Sequence, residues 1–286
     1  MRLSIIDGIL PSVLCSPNDM KLCFTVCVLL MLPAIAFAQH DTLTRKQIKE
    51  AEQQLADLGY WTGPVDGVLD AGSKSAVMAF QKWNGFEATG ELTIDELDAI
   101  RTSASPRARE LGYEHVEVDL DRQVLMLVRE DGALRVLSTS TGNNKTFLDD
   151  GQESIAYTPR GRFLVYAKEI GWQSGPLGRT YYANFISGGV AIHGSRNVPE
   201  RPASHGCIRI PMFAAREVSK LLKLGTIVLV YDKVSFVSAL DWVKNPKLKE
   251  AALASLGAEV NETAEAPTTK STSLGARKPR PRMVRS

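Results

Sequence analysis

Cysteine is scarce in this chain, with 4 among 286 residues, and three of the four, Cys15, Cys23 and Cys27, stand before residue 28. Histidine is equally scarce, also 4. No Cys-x-x-Cys unit occurs, so spacing offers neither a zinc-ribbon nor a dithiol-redox framework. An excess of charge is missing too: 34 lysines and arginines face 32 aspartates and glutamates, for a formal net charge of +2. Composition therefore gives no argument for a nucleic-acid partner. Nor is there an apolar run of the ~20 residues a membrane span requires. The hydrophobic content, 44%, is that of an ordinary globular protein.

What the first residues do contain is a leader. From Met20 the chain reads "MKLCFTVCVLLMLPAIAFAQH": one lysine, a short apolar run from Leu22 to Leu32, a proline, then Ala36-Phe37-Ala38 before Gln39. This is the form of a secretory signal peptide over residues 1–38, with cleavage after Ala38 and Met20 as an alternative start. An uncleaved anchor is the competing reading. No cysteine follows a small-residue lipobox. The expectation is an exported protein of the periplasm or cell wall, without a stable transmembrane segment once the leader is removed.

Cleavage would leave Cys207 as the sole cysteine. In an oxidising compartment cysteines usually pair, so a lone thiol asks for a reason. A free cysteine is often just a small buried hydrophobe, but flanking Gly206 and His205 make poor core neighbours.

Residues 42–105 read as a compact three-helix module. "RKQIKEAEQQLADLG" spaces Ile48, Ala51, Leu55 and Leu58 for one helical face and stops at Gly59. The turn-rich "YWTGPVDGVLD" follows. A second helix, "SKSAVMAFQKWNG", aligns Val77, Phe80 and Trp83, and Thr93 with Glu96 forms a capping box opening a third. Tyr60, Trp61 and Trp83 offer flat apolar faces suited to sugar rings or peptide; core packing is the competing role, and the preferred one for Trp83.

Residues 114–232 read as strands. Val116, Val118 and Leu120 alternate with Glu117 and Asp119, the pattern of a half-buried strand, while the unbroken "VLMLV" predicts a strand covered on both faces. Glu130-Asp131-Gly132 marks a hairpin before "ALRVLSTSTG". Further strands are expected at "GRFLVYAKE", "GGVAIHG" and "TIVLVYD", with one late amphipathic helix, "MFAAREVSKLLKLG", burying Ala214, Val218 and Leu221. The fold class that emerges is a small three-helix N-terminal module followed by a mainly β domain, a mixed sheet or sandwich with one or two helices. Residues 245–286 read as a basic, Pro/Ser/Thr-rich disordered tail, with helical potential in "LKEAALASLGAEV".

The chemistry gathers in "IHGSRNVPERPASHGCIRIP". A free thiol is only a few per cent thiolate near neutrality, and an adjacent imidazole remedies this by taking its proton. His193 and His205 are both candidates, and spacing alone does not choose between them. Gly194 and Gly206 permit close backbone approach, and the amides around Gly206 and Cys207 are candidate oxyanion donors. Together these make a nucleophile, base and donor set for acyl transfer. Zinc held by His193, His205 and Cys207 is a weaker alternative, because no fourth ligand is in view.

Two resemblances extend this reading. The run "LADLGYWTGPVDGVLDAGSKSAVMAFQKWNGFEATGELT" is similar to the peptidoglycan-binding repeat found on many cell-wall enzymes, which implies wall contacts at Tyr60 and Trp61. "IHG" followed by "SHGCIR", with "VDLDRQVLMLV", "VLSTSTG", "TPRGRF" and "GTIVLVYD" in order, resembles the L,D-transpeptidase family with its YkuD-type domain. The resemblance implies Cys207 as nucleophile and His193 as its base, with a backbone carbonyl near Ser195 orienting the imidazole. It places Ser195, Ser204, His205, Gly206 and Arg209 in supporting or oxyanion positions. It also implies no cofactor and no metal, with peptidoglycan stem peptides and glycan as partners. Cleavage by hydrolysis, attachment or release of a wall-linked lipoprotein, and non-catalytic wall binding stay open beside cross-link formation. Tyr181, Tyr182 and Asn184 are weaker substrate-binding candidates by position. The loop "SRNVPERPA" is short and is expected to shape substrate access.

Overall fold

The structure, a computed structural model, describes residues 42–149 and 151–265. The expected signal peptide and the basic segment 266–286 lie outside the described residues. Three helices come first: α1 (Arg45–Asp57), α2 (Ala71–Asn84) and α3 (Ile94–Thr102). Capping sets their bounds. Thr44 and Gln47 form a capping box on α1, Thr93 and Glu96 another on α3, and the Asp70 side chain accepts from the Gly72 and Ser73 amides at the start of α2. α1 ends in paired bonds from Gly59 N to Ala56 O and Tyr60 N to Leu55 O, the Schellman pattern the glycine predicts.

The β domain follows with β1 (His115–Asp119), β2 (Val124–Val128), β3 (Leu134–Ser138), the hairpin β4 (Thr146–Asp149) and β5 (Gln152–Ile155), then β6 (Gly161–Leu164), β7 (Ala167–Lys168), β8 (Trp172–Gly175), β9 (Gly178–Ser187), β10 (Val190–Ser195) and β11 (Ile208–Pro211). Helix α4 (Met212–Leu221), strand β12 (Ile227–Tyr231) and helices α5 (Leu240–Lys244) and α6 (Pro246–Glu265) complete it. One mixed sheet runs β3-β2-β1-β12-β6; a second runs β11-β10-β9-β7, with β8 paired to β9.

The two sheets share a core. Val116, Val118, Leu125, Leu127, Leu137, Val228 and Val230 of the first meet Ile186, Ile192, Ile208 and Ile210 of the second, joined by Ala214, Ala215, Val218 and Leu222. Helix α4 thus buries Leu222 in place of the expected Leu221, which is exposed.

The outer face of the first sheet is covered as well. Its β2–β3 end, Val124, Met126, Val128 and Val136, packs with Leu55, Tyr60, Val77, Phe80, Leu97 and Ile100 of the three-helix module in one cluster. The module is also stitched to the sheet edge: Trp61 N donates to Val136 O at 2.9 Å and Val136 N to Gly59 O at 2.8 Å. At the other end Leu164, Ile227, Leu229 and Tyr231 pack with Ala239, Trp242, Ala252, Leu253 and Leu256. Residues 246–265 form a helix, as "LKEAALASLGAEV" suggested, and its first half packs on the domain through Ala252, Leu253 and Leu256, correcting the reading of residues 246–256 as disordered tail. Two covers explain why "VLMLV" is apolar throughout.

They also correct the expectation for β1. All five of its residues are buried, so Glu117 faces protein and not water. Its carboxylate accepts from the Arg109 amide at 2.8 and 3.0 Å, from the Glu110 amide at 3.0 Å and from Tyr231 OH at 2.6 Å, and lies 3.0 Å from His115 Nε2. Burial alone would raise the Glu117 pKa, but bonds from His115, the Arg109 amide, Tyr231 and the Glu110 amide outweigh it and hold the group below the ordinary carboxylate value.

Because the folded pKa is depressed, this carboxylate contributes stability above the unfolded value of about 4.5, and the contribution is lost as pH falls through the lower folded value. Glu117→Gln should cost about 2–4 kcal/mol in urea unfolding at neutral pH. The difference from the parent protein should shrink in acid; a constant difference would contradict the network.

Candidate active site

Strands β10 and β11 lie parallel, pairing Ile192 with Ile208, His193 with Arg209 and Gly194 with Ile210. Alternation sends Ile192, Ile208 and Ile210 into the core and turns His193 and Arg209 to the opposite side. Cys207 stands immediately before β11, in phase with Arg209. It is partly exposed, with Sγ 3.6 Å from the Gly189 carbonyl oxygen.

The imidazole is positioned by a defect in the sheet. Ile192 pairs with Asn184 and Gly194 with Tyr181, so Tyr182 and Ala183 together oppose His193. This is a β-bulge, a device that re-aims a side chain, and Tyr182 takes the left-handed conformation, φ 51°. Asn184, expected as a substrate contact, is instead buried and spent on the bulge. Its Nδ2 donates to Tyr182 O at 2.8 Å and Ile192 O at 3.2 Å, and its Oδ1 accepts from Ser219 Oγ at 3.1 Å.

His193 is 5% exposed, and its Nδ1 lies 3.0 Å from the carbonyl oxygen of Gly194. That acceptor requires Nδ1 to carry the proton, which leaves Nε2 with a lone pair. The carbonyl that His193 Nδ1 faces is that of Gly194, next to Ser195, while the Ser195 hydroxyl bonds the backbone of Asn197. Burial lowers the His193 pKa against the Gly194 bond, and the Arg209 charge lowers it further. Burial raises the Cys207 pKa, opposed by the Ala191 amide and Arg209. The resting pair is therefore a thiol and a neutral imidazole.

The remaining motif residues divide. Ser204 Oγ donates to Cys207 O at 2.6 Å and accepts from Gly206 N at 3.0 Å, bracing the turn before the thiol. The Gly206 amide is consumed there, against the expectation that it serves an oxyanion. Thr158 Oγ1 holds the Gly206 carbonyl at 2.6 Å. Gly206 has φ +138°, and a Cβ on it would sit 2.9 Å from Tyr157 O. His205 is exposed and its ring lies 4.6 Å from that of Phe147 on β4. Tyr181 packs between Trp172 at 5.0 Å and Tyr182 at 4.7 Å. Of the two wall-contact candidates, Tyr60 is 3% exposed, its ring packed in the module core against Phe80. Trp61 lines a cleft of about 240 Å³ with Arg129 and Arg135.

Sequence reasoning missed the supports from elsewhere in the chain: Ala191, Gly189, Thr158 and the segment Ser138–Gly142. Thr139 Oγ1 and Ser140 N both donate to Arg209 O, at 2.6 and 3.1 Å, and Arg209 N returns a bond to Ser140 O at 3.0 Å. Thr158 lies in the recognised "TPRGRF" and Ser138–Gly142 in the recognised "VLSTSTG", signals that were available; Ala191 and Gly189 carry none. Among the described residues no group of three or more His, Cys, Asp or Glu is placed to hold a metal ion, and no helix is long and apolar enough to cross a membrane.

A two-sheet domain in which a bulge-held imidazole and a partly exposed thiol come from adjacent parallel strands is thus joined to a helical module. The comparisons particularise this. Residues 44–100 match the putative peptidoglycan binding domain model, and residues 113–230 the L,D-transpeptidase catalytic domain (YkuD) model. An L,D-transpeptidase from Xylanimonas cellulosilytica is similar at 36% identity over 65% of this chain and 93% of that one, with TM-score 0.61. An L,D-transpeptidase from Stackebrandtia nassauensis matches at 22% identity over 65% and 91%, TM-score 0.37. The catalytic domain of an E. faecium L,D-transpeptidase matches at 24% over 43% and 100%, TM-score 0.33. Comparison with curated proteins gives no match. The chain belongs to the L,D-transpeptidase family.

Iodoacetamide alkylation of Cys207 in the resting protein should rise with pH to a midpoint above the ordinary thiol value of 9.0. Arg209→Gln should move it higher still; a midpoint near neutrality would show an ion pair at rest. Packing gives a second expectation. A Cβ on Gly194 would lie 2.5 Å from Ala215 Cβ on α4 and 3.2 Å from Tyr181. Gly194→Ala should therefore lower thermal stability by several degrees and slow alkylation, with Ala215→Gly restoring part of both; no rescue would mean that another contact dominates.

Proposed function

We propose that the chain is an exported cell-wall enzyme that forms peptide cross-links in peptidoglycan by acyl transfer through Cys207. The observation that carries the reading is the His193 Nδ1 contact to Gly194 O, which leaves Nε2 as a base on the side of the sheet from which Cys207 arises. The substrate read here is a tetrapeptide stem, which membership of the L,D-transpeptidase family supports as a class.

His193 Nε2 takes the thiol proton as Sγ attacks the carbonyl carbon of the third stem residue. The C–S bond forms, the C–N bond to terminal D-alanine breaks, and the imidazolium returns its proton to the leaving amine. An amine of a second stem then attacks the thioester, breaking C–S and regenerating the thiol, with His193 again carrying the proton. A thiol held neutral until substrate arrives is protected from stray oxidation, and the lowered imidazole pKa keeps the base unprotonated at neutral pH. Arg209 stabilises the thiolate as it develops. The helical module holds the enzyme on the wall, with Trp61 as an aromatic contact and Arg129 and Arg135 beside it for carboxylates.

Intact-mass analysis of residues 39–286 with a disaccharide-tetrapeptide, with and without an amine acceptor, tests the reading. The expected sequence is loss of D-alanine, an adduct on Cys207, and resolution to a cross-linked dimer. Resolution to free tripeptide would instead make the protein a hydrolase, and the absence of any adduct would leave a wall-binding protein. Cys207→Ala should abolish the adduct, and His193→Gln should slow acylation by about 10²–10⁴-fold. The acid limb of acylation should fall below the ordinary imidazole value of 6.5.

A further inference from the structure

Helix α2 of the wall-binding module sends one side chain into the catalytic domain. Lys82 is 7% exposed, and its Nζ lies 2.9 Å from Ser138 Oγ, 2.8 Å from Thr139 O and 3.1 Å from Pro199 O. An ammonium has three donors and no acceptor; here each donor meets one oxygen. The oxygens come from two places, the end of β3 and the loop that joins His193 to Cys207.

That loop has few anchors of its own. Ser140 Oγ donates to Arg201 O at 2.8 Å, and the Ala203 and Ser204 amides both donate to Thr141 O at 2.9 Å. Each of these anchors lies on residues 138–142, the segment Lys82 also grips. Across Val198, Pro199 and Glu200 the only hydrogen bond among the described residues from outside the loop is that of Lys82 to Pro199. Burying a lysine is costly, and burial pulls its pKa down to about 7 against the attraction of Glu200. Apolar packing between α2 and the sheet needs no such group, since Phe80 and Val77 already provide it.

We infer that Lys82 is a positioning residue for the loop 196–207 and hence for Cys207, so that the wall-binding module is a working part of the catalytic domain and not a detachable anchor. The inference rests on the acyl-transfer reading for its kinetic consequence, but not for its structural one.

Lys82→Met in the full exported chain keeps the apolar stem and removes the three bonds. Phe80→Leu, a packing change in the same module, is the control for general loosening. Three quantities are compared: thermal midpoint, hydrogen exchange of peptides covering residues 196–203, and the rate of Cys207 acylation by the tetrapeptide donor. Lys82→Met should accelerate exchange in the loop and lower the maximal acylation rate by at least about tenfold with little change in the half-saturating donor concentration. Phe80→Leu, at a similar loss of thermal midpoint, should leave acylation within about twofold. Unchanged loop exchange or acylation in Lys82→Met, or an equal fall in both variants, overturns the inference. If Lys82→Met is recovered unfolded, Lys82→Gln, whose amide retains two donors, carries the same comparison with a smaller expected fall. If the parent protein forms no adduct with any donor, the acyl-transfer reading fails, and loop exchange with iodoacetamide reactivity still decides the role of Lys82.

Discussion

The parallel pairing of β10 with β11 is the constraint on which the site depends. Two parallel strands need a connection that leaves one end and returns to the other, and this is commonly a helix that satisfies its own backbone. Here the connection is residues 196–207, with no helix in it. Its polar groups must therefore be met from outside. Thr141 O takes two amides, Ser140 and Lys82 donate to two carbonyls, the Asn143 amide donates to Ser204 O and Thr158 to Gly206 O. The residue that closes this connection is Cys207. Placement of the thiol is thus a by-product of satisfying a short crossover, which is why segments far away in sequence supply most of the supports.

The same economy governs the helical module. A sheet with five consecutive apolar residues in β2 requires cover on both faces, and the second sheet supplies only one. The module covers the β2–β3 end and the C-terminal helices the β12–β6 end, leaving the polar outer face of β1 between them. Glu117 sits in that gap and is stabilised by converging donors, so a charge becomes a cross-link between the segment 109–110, β1 and β12. A wall-binding repeat that shares a core cluster with its catalytic domain cannot swing as a tethered anchor would.

Electrostatics in the site favour neutrality at rest. Burial disfavours both thiolate and imidazolium, while Arg209, paired with His193 in register, favours the first and disfavours the second. In the proposed acyl transfer, charge separation would belong to the encounter with substrate. The bulge at Tyr182 serves this arrangement, since it lets β9 stay paired with β10 on either side of His193 while the ring reaches the Gly194 carbonyl.

How far the sequence could be read divides along local and non-local lines. Some helix ends were legible because Thr93 and Glu96 cap across three positions and Gly59 and Gly85 stop their helices locally, and "VLMLV" declared a doubly covered strand without declaring its covers. Cys207 stood out because an unpaired thiol near imidazole is chemically conspicuous, whereas the preference for His193 over His205 came from the family resemblance. The burial of Glu117 and Tyr60, the diversion of Asn184 and the Gly206 amide from the roles expected of them, and the packing of residues 246–256 on the domain were not legible, since each depends on a partner more remote in the chain or on which face the fold leaves open. The sequence by itself determined the three N-terminal helices, the strands β1, β2, β3, β6, β10 and β12, helix α4 and the candidate reactive groups, because these follow from short-range periodicity and side-chain chemistry. Only the tertiary structure decided which carbonyl orients His193, which groups close the crossover and that Lys82 joins module to loop, because those are questions of what a folded backbone brings within 3 Å of what.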